Sequence, residues 1–182
     1  MLRKILLSAY ILMCFLLPPL PAQEEEEAAA LPDGFRGFRF GMTMEEVKEE
    51  LEDDGYFDFT GDPDVSISDE PDSATIDTGG LLYISRGFFQ FHEDGLYIII
   101  LKLDTEEIDY YTLYTALTGK YGDPDSLNPQ EAVWESDTVR MSLERPLSVK
   151  YIDRTIFEEL RTEELDLRSM RSVTRERFLE QF

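Results

Sequence analysis

The chain has one cysteine and one histidine among its 182 residues, and neither is well placed for chemistry. Cys14 lies in the apolar N-terminal run, so a chain without that run has no thiol and no disulfide. His92 stands beside Glu93 and Asp94 in a predicted hairpin connection, with no nucleophile or metal ligand at a suitable spacing. Phosphate-binding loops and nucleophile elbows are also missing. The sequence therefore predicts a protein that is not an enzyme and holds no cofactor or zinc.

Basic residues are scarce as well. Lysine and arginine number 17 against 39 aspartates and glutamates, which gives a formal net charge of −22. Nucleic-acid binding needs clustered cations for the phosphates, and anionic membranes repel such a chain. We therefore expect no nucleic acid and no strong binding to anionic membranes, and a protein partner with a basic or apolar surface.

The longest apolar run, Ile5–Leu17, is shorter than the roughly 20 residues that span a bilayer. Arg3 and Lys4 precede it and three prolines follow, which predicts a signal peptide over residues 1–22, cleaved near Ala22. The mature protein would be periplasmic or secreted. An uncleaved membrane anchor, or a lipid anchor on Cys14, stays open as the alternative.

The remainder divides into an acidic tether (23–34), a single α+β domain (35–153) and a C-terminal helix or partly ordered tail (154–182). The fold class that we predict is an antiparallel sheet with helices packed on one face. The order of elements is compatible with two halves, each a helix followed by strands.

Two helices of the domain have capping signals. Thr43 and Glu46 form a capping box for a helix that Gly55 ends, and Asp104 with Glu107 repeat the pattern for a second helix. Two glycines and a proline in 119–124 end this second helix. Its predicted apolar side is made by Ile108, Tyr111, Leu113, Tyr114 and Leu117.

Strands are predicted at 87–91, 96–103, 131–135, 138–144 and 147–152. Residues 58–79 are interpreted as a long acidic loop with short edge strands near 65–67 and 74–76, because Pro63 and Pro71 exclude a central strand. The predicted core includes Phe89, Phe91, Ile98, Ile100, Leu117 and Trp134.

The first candidate for protein binding is the segment from Phe35 to Phe40. Phe35, Phe38 and Phe40 alternate on one side of a predicted extended segment, interleaved with Arg36 and Arg39. These phenylalanines either pack under the first helix or form an exposed ridge flanked by guanidinium groups, which suits an interface.

The second candidate lies near the C-terminus. Arg168, Arg171 and Arg175 make this end locally basic on an acidic protein. The segment is either a plain terminal helix or a docking helix for an acidic partner or for the protein's own acidic surface.

The alternative function is binding of calcium or a small ligand by the acidic loop 58–77. Asp62, Asp64 and Ser66 alternate like the opening of a calcium loop. Ile67 and Ser73 stand where an EF-hand needs glycine and glutamate, so the loop does not match that motif.

The stretches "FRFGMTMEEVKEEL" and "LTGKYGDPDS" resemble small bacterial envelope domains of the SmpA/OmlA type, accessories of outer-membrane protein assembly, and the related β-lactamase-inhibitor-protein fold. The similar residues are the Gly41-Met42-Thr43 step with Glu45, Glu46 and Val47, and the turn of Gly122 and Pro124. The resemblance covers about thirty residues and implies a non-enzymatic envelope protein. The chain departs from those domains in having several strands before the second helix and no lipidation motif around Cys14.

Overall fold

The computed structural model describes residues 28–67, 73–179 and 181. It contains the helices α1 (Met44–Asp53), α2 (Tyr110–Tyr121) and α3 (Arg154–Leu179), and a 3-10 turn at Asp62–Asp64. The strands are β1 (Gly34–Phe35), β2 (Phe38–Arg39), β3 (Phe57–Asp58), β4 (Val65–Ile67), β5 (Ser73–Gly80), β6 (Ile84–His92), β7 (Gly95–Leu103), β8 (Ser126–Leu127), β9 (Glu131–Glu135), β10 (Val139–Glu144) and β11 (Ser148–Asp153).

Nine strands form one antiparallel sheet in the order β3-β5-β6-β7-β11-β10-β9-β8, and β4 also pairs with β5. The five predicted strands are present within a few residues of their predicted bounds. The α+β class and the C-terminal helix are confirmed. The interpretation of 58–79 as a loop is wrong at its end, because β5 is an eight-residue strand that pairs with neighbours on both sides.

The sheet consists of two halves that meet where β7 pairs with β11. Each half has a helix, the sequence Gly-Asp-Pro-Asp, a short outer strand and then three antiparallel strands. The repeated tetrapeptides are 61–64 and 122–125, and both begin with a glycine at positive φ, +88° and +81°. This repeated sequence supports the two-halves interpretation better than the similar helix starts do.

The core lies between one face of the sheet and the helices. Val47 and Leu51 of α1 and Leu117 of α2 belong to the same buried cluster as Phe89 and Trp134. Helices α1 and α2 therefore pack on one face, as predicted. Two residues of the predicted core lie elsewhere. Ile98 is buried but outside this cluster, and Ile100 is half-buried. Side chains alternate along β7, so both point to the opposite face of the sheet.

The capping box of α1 is present: Thr43 accepts the backbone N–H of Glu46, and Glu46 accepts the backbone N–H of Thr43. The start predicted for α2 is wrong. The segment from Asp104 makes one hydrogen-bonded turn, and the helix itself begins at Tyr110 with Asp109 as its N-cap. Asp109 accepts hydrogen bonds from both the backbone and the hydroxyl of Thr112, which fixes the cap there.

One end of the sheet, called here the lower end, carries the β5–β6 turn (81–83), the link from β7 to α2 (104–109), the β8–β9 turn (128–130) and the β10–β11 turn (145–147). The upper end carries the β6–β7 turn and the start of α3, which follows β11 directly. In the described residues, no helix combines the length and apolarity that crossing a membrane requires. The predicted signal peptide lies outside the described residues.

Candidate protein-binding surface

The segment from Phe35 to Phe40 is a tight hairpin of β1 and β2, not one extended segment. Phe38 is fully buried, with its ring 4.7 Å from that of Phe89 and 5.6 Å from that of Phe57. Phe35 is half-buried against Tyr151, at 6.2 Å between ring centroids. These phenylalanines therefore pack in or beside the core, and an exposed ridge does not form.

The two arginines of this hairpin have partners on the protein itself. Arg36 has a positive φ of 54° and stacks over Tyr56, with 4.4 Å from its guanidinium carbon to the ring centroid. Its Nε donates to the carboxylate of Asp54 at 2.8 Å, and the Asp54 side chain is only 3% exposed. Hydrogen bonding to Asp54 raises the pKa of Arg36. Arg39 is exposed and pairs with Asp33 at 3.2 Å.

The C-terminal arginines lie on α3. Arg168 and Arg175 have exposed side chains, and Arg168 pairs with Glu164 one turn earlier. Arg171 lies on the same helix. Arg36 lies close to the lower end of the sheet, through its contacts with Asp54 and Tyr56, whereas α3 starts at the upper end.

The acidic loop is only partly described, since residues 68–72 lie outside the described residues. Both carboxylate oxygens of Asp64 accept hydrogen bonds from Thr60, while Asp62 is exposed. Within the described part of the chain, no group of three or more histidine, cysteine, aspartate or glutamate side chains could hold a metal ion. The calcium hypothesis stays a prediction.

A groove of about 450 Å³ opens at the lower end. It is called here the tyrosine groove, and its lining is mainly apolar. Tyr110 and Tyr114 stack with their rings nearly parallel, at 9° and 6.5 Å, and Tyr114 also contacts Trp134. The lining residues are Asp109, Tyr110, Tyr111, Tyr114, Leu127 and Arg145.

Arg145 fixes one wall of the groove. Its guanidinium lies over Tyr110, 4.0 Å from the ring centroid, and its Nε donates to the carbonyl of Pro129 at 3.0 Å. Tyr110 in turn is close enough to donate to the carbonyl of Leu143, at 3.4 Å, and burial raises the pKa of Tyr110. The inner wall is thus held in place, whereas Tyr111 and Leu127 are 74% and 62% exposed.

A second apolar feature of the lower end is the β5–β6 turn. Leu81, Leu82 and Tyr83 are consecutive, and 43%, 67% and 48% of their surfaces are exposed. Leu82 has a φ of +57°, which is unusual for a bulky side chain. The backbone is held by hydrogen bonds from Leu81 to Tyr56, from Ile84 to Leu81 and from Asp104 to Tyr83, so the turn presents a fixed apolar tip.

An acidic segment separates these two features. Asp104, Glu106, Glu107 and Asp109 lie between β7 and α2, and the last three are exposed. The lower end therefore has the apolar turn, then an acidic segment, then the tyrosine groove. Sequence reasoning missed this surface, although two signals were present: three tyrosines within five residues (110–114), and three apolar residues after Gly79 and Gly80.

A family model described as the TP0088 domain matches residues 33–163, and the chain belongs to this family. No curated protein matches the chain, and no solved structure does. The predicted resemblance to SmpA/OmlA domains stays a prediction. The family match covers all the strands of the sheet and ends within α3, before Arg168.

Proposed function

We propose that this member of the TP0088 domain family is a non-catalytic protein-interaction module, which binds its partner through the lower end of the sheet. The observation that carries the proposal is the tyrosine groove beside an exposed apolar turn. Tyrosine is enriched among the residues that dominate binding energy, because it offers a large ring and a polar tip at little cost in entropy. Exposed runs of apolar residues are avoided in sequences unless they have a function.

The chemistry of this surface also indicates the kind of partner. An apolar side chain can fill the groove between Tyr111 and Leu127, and basic groups can meet the acidic segment 104–109. We propose another envelope protein as this partner, in the periplasm or outside the cell, since residues 1–22 have the pattern of an export signal. The role in envelope assembly or maintenance belongs to the same proposal.

Site-specific photo-crosslinking in producing cells tests the proposal. A photoreactive residue at position 127 should give a discrete crosslinked protein, and the same residue at position 49, exposed on α1, should not. Tyr111→Ser should remove the product without lowering the melting temperature, because Tyr111 is mostly exposed. Mass spectrometry identifies the partner, whose purified form should then bind the wild type and not the variant.

Two results would overturn the proposal. One is equal crosslinking at positions 49 and 127, which would mean that no surface is preferred. The other is a product at position 127 that survives Tyr111→Ser in a protein with an unchanged melting temperature. Either outcome would remove the tyrosine groove as the contact.

A further inference from the structure

We propose that the lower end of one copy binds the C-terminal part of helix α3 of a second copy, so that the chain self-associates head to tail. This inference rests on the proposed function, because it takes the lower end to be a docking surface. It adds the identity of one occupant, a segment of the same chain.

The first argument is charge. Residues 167–179 of α3 contain four arginines and one acid, Glu176, in a chain of net charge −22. The segment 104–109 contains four acids and no base. Of the cations near this segment, Lys102 and Arg145 lie over the rings of Phe88 and Tyr110, and Arg86 pairs with Asp77. The basic end of α3 thus complements the acidic segment, whereas two lower ends would repel each other.

The second argument is spacing. Leu165 and Leu179 are each more than half exposed, and they stand on either side of the arginines along α3. They are 14 residues apart, which places them on nearly the same side of the helix and, at a rise of 1.5 Å per residue, about 21 Å from each other. Four strand spacings separate β6, which follows the apolar turn, from β9, which lies beside the groove, and these amount to about 19 Å. The apolar ends of the helix therefore match the apolar turn and the groove.

The third argument concerns which copy supplies the helix. α3 starts at the upper end, directly after β11. To reach its own lower end, the helix would have to lie along the domain and bury one side. Instead, the five consecutive side chains 161–165 are all exposed, and at 3.6 residues per turn they cover every side of the helix. A helix that buries no side over this turn is placed to reach the lower end of a neighbour.

Such a contact joins two different surfaces, so it adds copies in a row and depends on protein concentration. Attraction between exposed charges is screened by salt, so association should weaken as ionic strength rises. Sedimentation velocity of the purified protein over a range of concentrations and salt measures both effects.

Charge reversal gives the decisive comparison. Glu106→Lys with Glu107→Lys should make the protein monomeric, and Arg168→Glu with Arg175→Glu should do the same. All four residues are exposed, so the melting temperature should stay unchanged. A chain that carries all four changes has complementary charges again and should regain association. The matched control, Glu49→Lys with Glu52→Lys on α1, makes the same charge change away from the lower end and should associate like the wild type.

A wild type that stays monomeric at every concentration would overturn the inference, as would reversal variants that associate as well as the control. Failure here is distinguishable from failure of the proposed function. If the wild type is monomeric but position 127 crosslinks a different protein in a Tyr111-dependent way, the docking surface stands and self-association is wrong.

Discussion

Trp134 donates its indole N–H to the carbonyl oxygen of Gly122 at 2.9 Å. This bond joins strand β9 to the residue that ends helix α2, and Gly122 opens the second Gly-Asp-Pro-Asp tetrapeptide. The positive φ of Gly122 turns the chain from the helix towards β8, as the positive φ of Gly61 turns it towards β4. In both halves the tetrapeptide therefore leads into the short outer strand, after β3 in the first half and directly after α2 in the second.

The glycines of this repeat should be costly to replace. Gly61→Ala and Gly122→Ala should each lower the free energy of unfolding by about 1 kcal/mol, because a Cβ is disfavoured at positive φ. Gly119→Ala is the matched control, since it lies inside α2 with no atom within 4 Å of the added methyl group. That change should stabilise the protein by about 0.5–1 kcal/mol in urea unfolding. Equal changes in unfolding free energy at all three positions would contradict the role given to positive φ at Gly61 and Gly122.

Phe38 should behave as a core residue. Phe38→Ala should cost about 3–5 kcal/mol of unfolding free energy, because the ring is fully buried against Phe57 and Phe89. Phe35→Ala should cost less, since Phe35 is half-buried. Changing Phe35 and Phe38 together to serine should unfold the domain, as circular dichroism would report. A folded double variant that had lost only partner capture would instead indicate an interface.

Much of the fold was predictable because its signals are local. The Thr43–Glu46 capping box and the long apolar strand at 96–103 need no knowledge of distant residues. The errors arose where two local options compete. Asp104 and Asp109 are both good N-caps, and the bonds from Thr112 decide for Asp109. β5 is rich in small and polar residues, and it is an interior strand because it pairs with β6 on one side and with β3 and β4 on the other.

The candidate surface was not predictable, for a different reason. Tyr111 and Tyr114 fit the apolar side of a helix, and sequence spacing does not say that Tyr111 is exposed while Tyr114 is half-buried. Leu127 lies on β8 and Arg145 lies in the β10–β11 turn, and they meet the tyrosines only in the folded protein. Conversely, alternation is compatible with Phe38 in a core or at an interface, and packing against Phe89 decides for the core.

The capping box of α1 should make stability depend on pH. Hydrogen bonds from the backbone and hydroxyl of Thr43 hold the pKa of Glu46 below its ordinary value of 4.5. Because the pKa of Glu46 is lower in the folded protein, its hydrogen bonds to Thr43 stabilise the fold at pH values above the ordinary pKa. This stabilisation is lost as the pH falls through the pKa of the folded state. The melting temperature of Glu46→Gln should therefore lie below that of the wild type at neutral pH, and the difference should shrink in acid. A difference that is constant with pH would contradict this account.

Leu82 should show a trade-off between stability and binding. Its side chain is 67% exposed and its φ is +57°, so Leu82→Asn removes little packing and relieves about 1 kcal/mol of backbone strain. The variant should melt no lower than the wild type and yet associate more weakly in sedimentation. Leu127→Asn is the matched control, because Leu127 is similarly exposed on β8 and its φ is not positive. It should weaken association without any gain in stability. If Leu82→Asn instead lowers the melting temperature, the turn packs against the protein itself and is not held out for a partner.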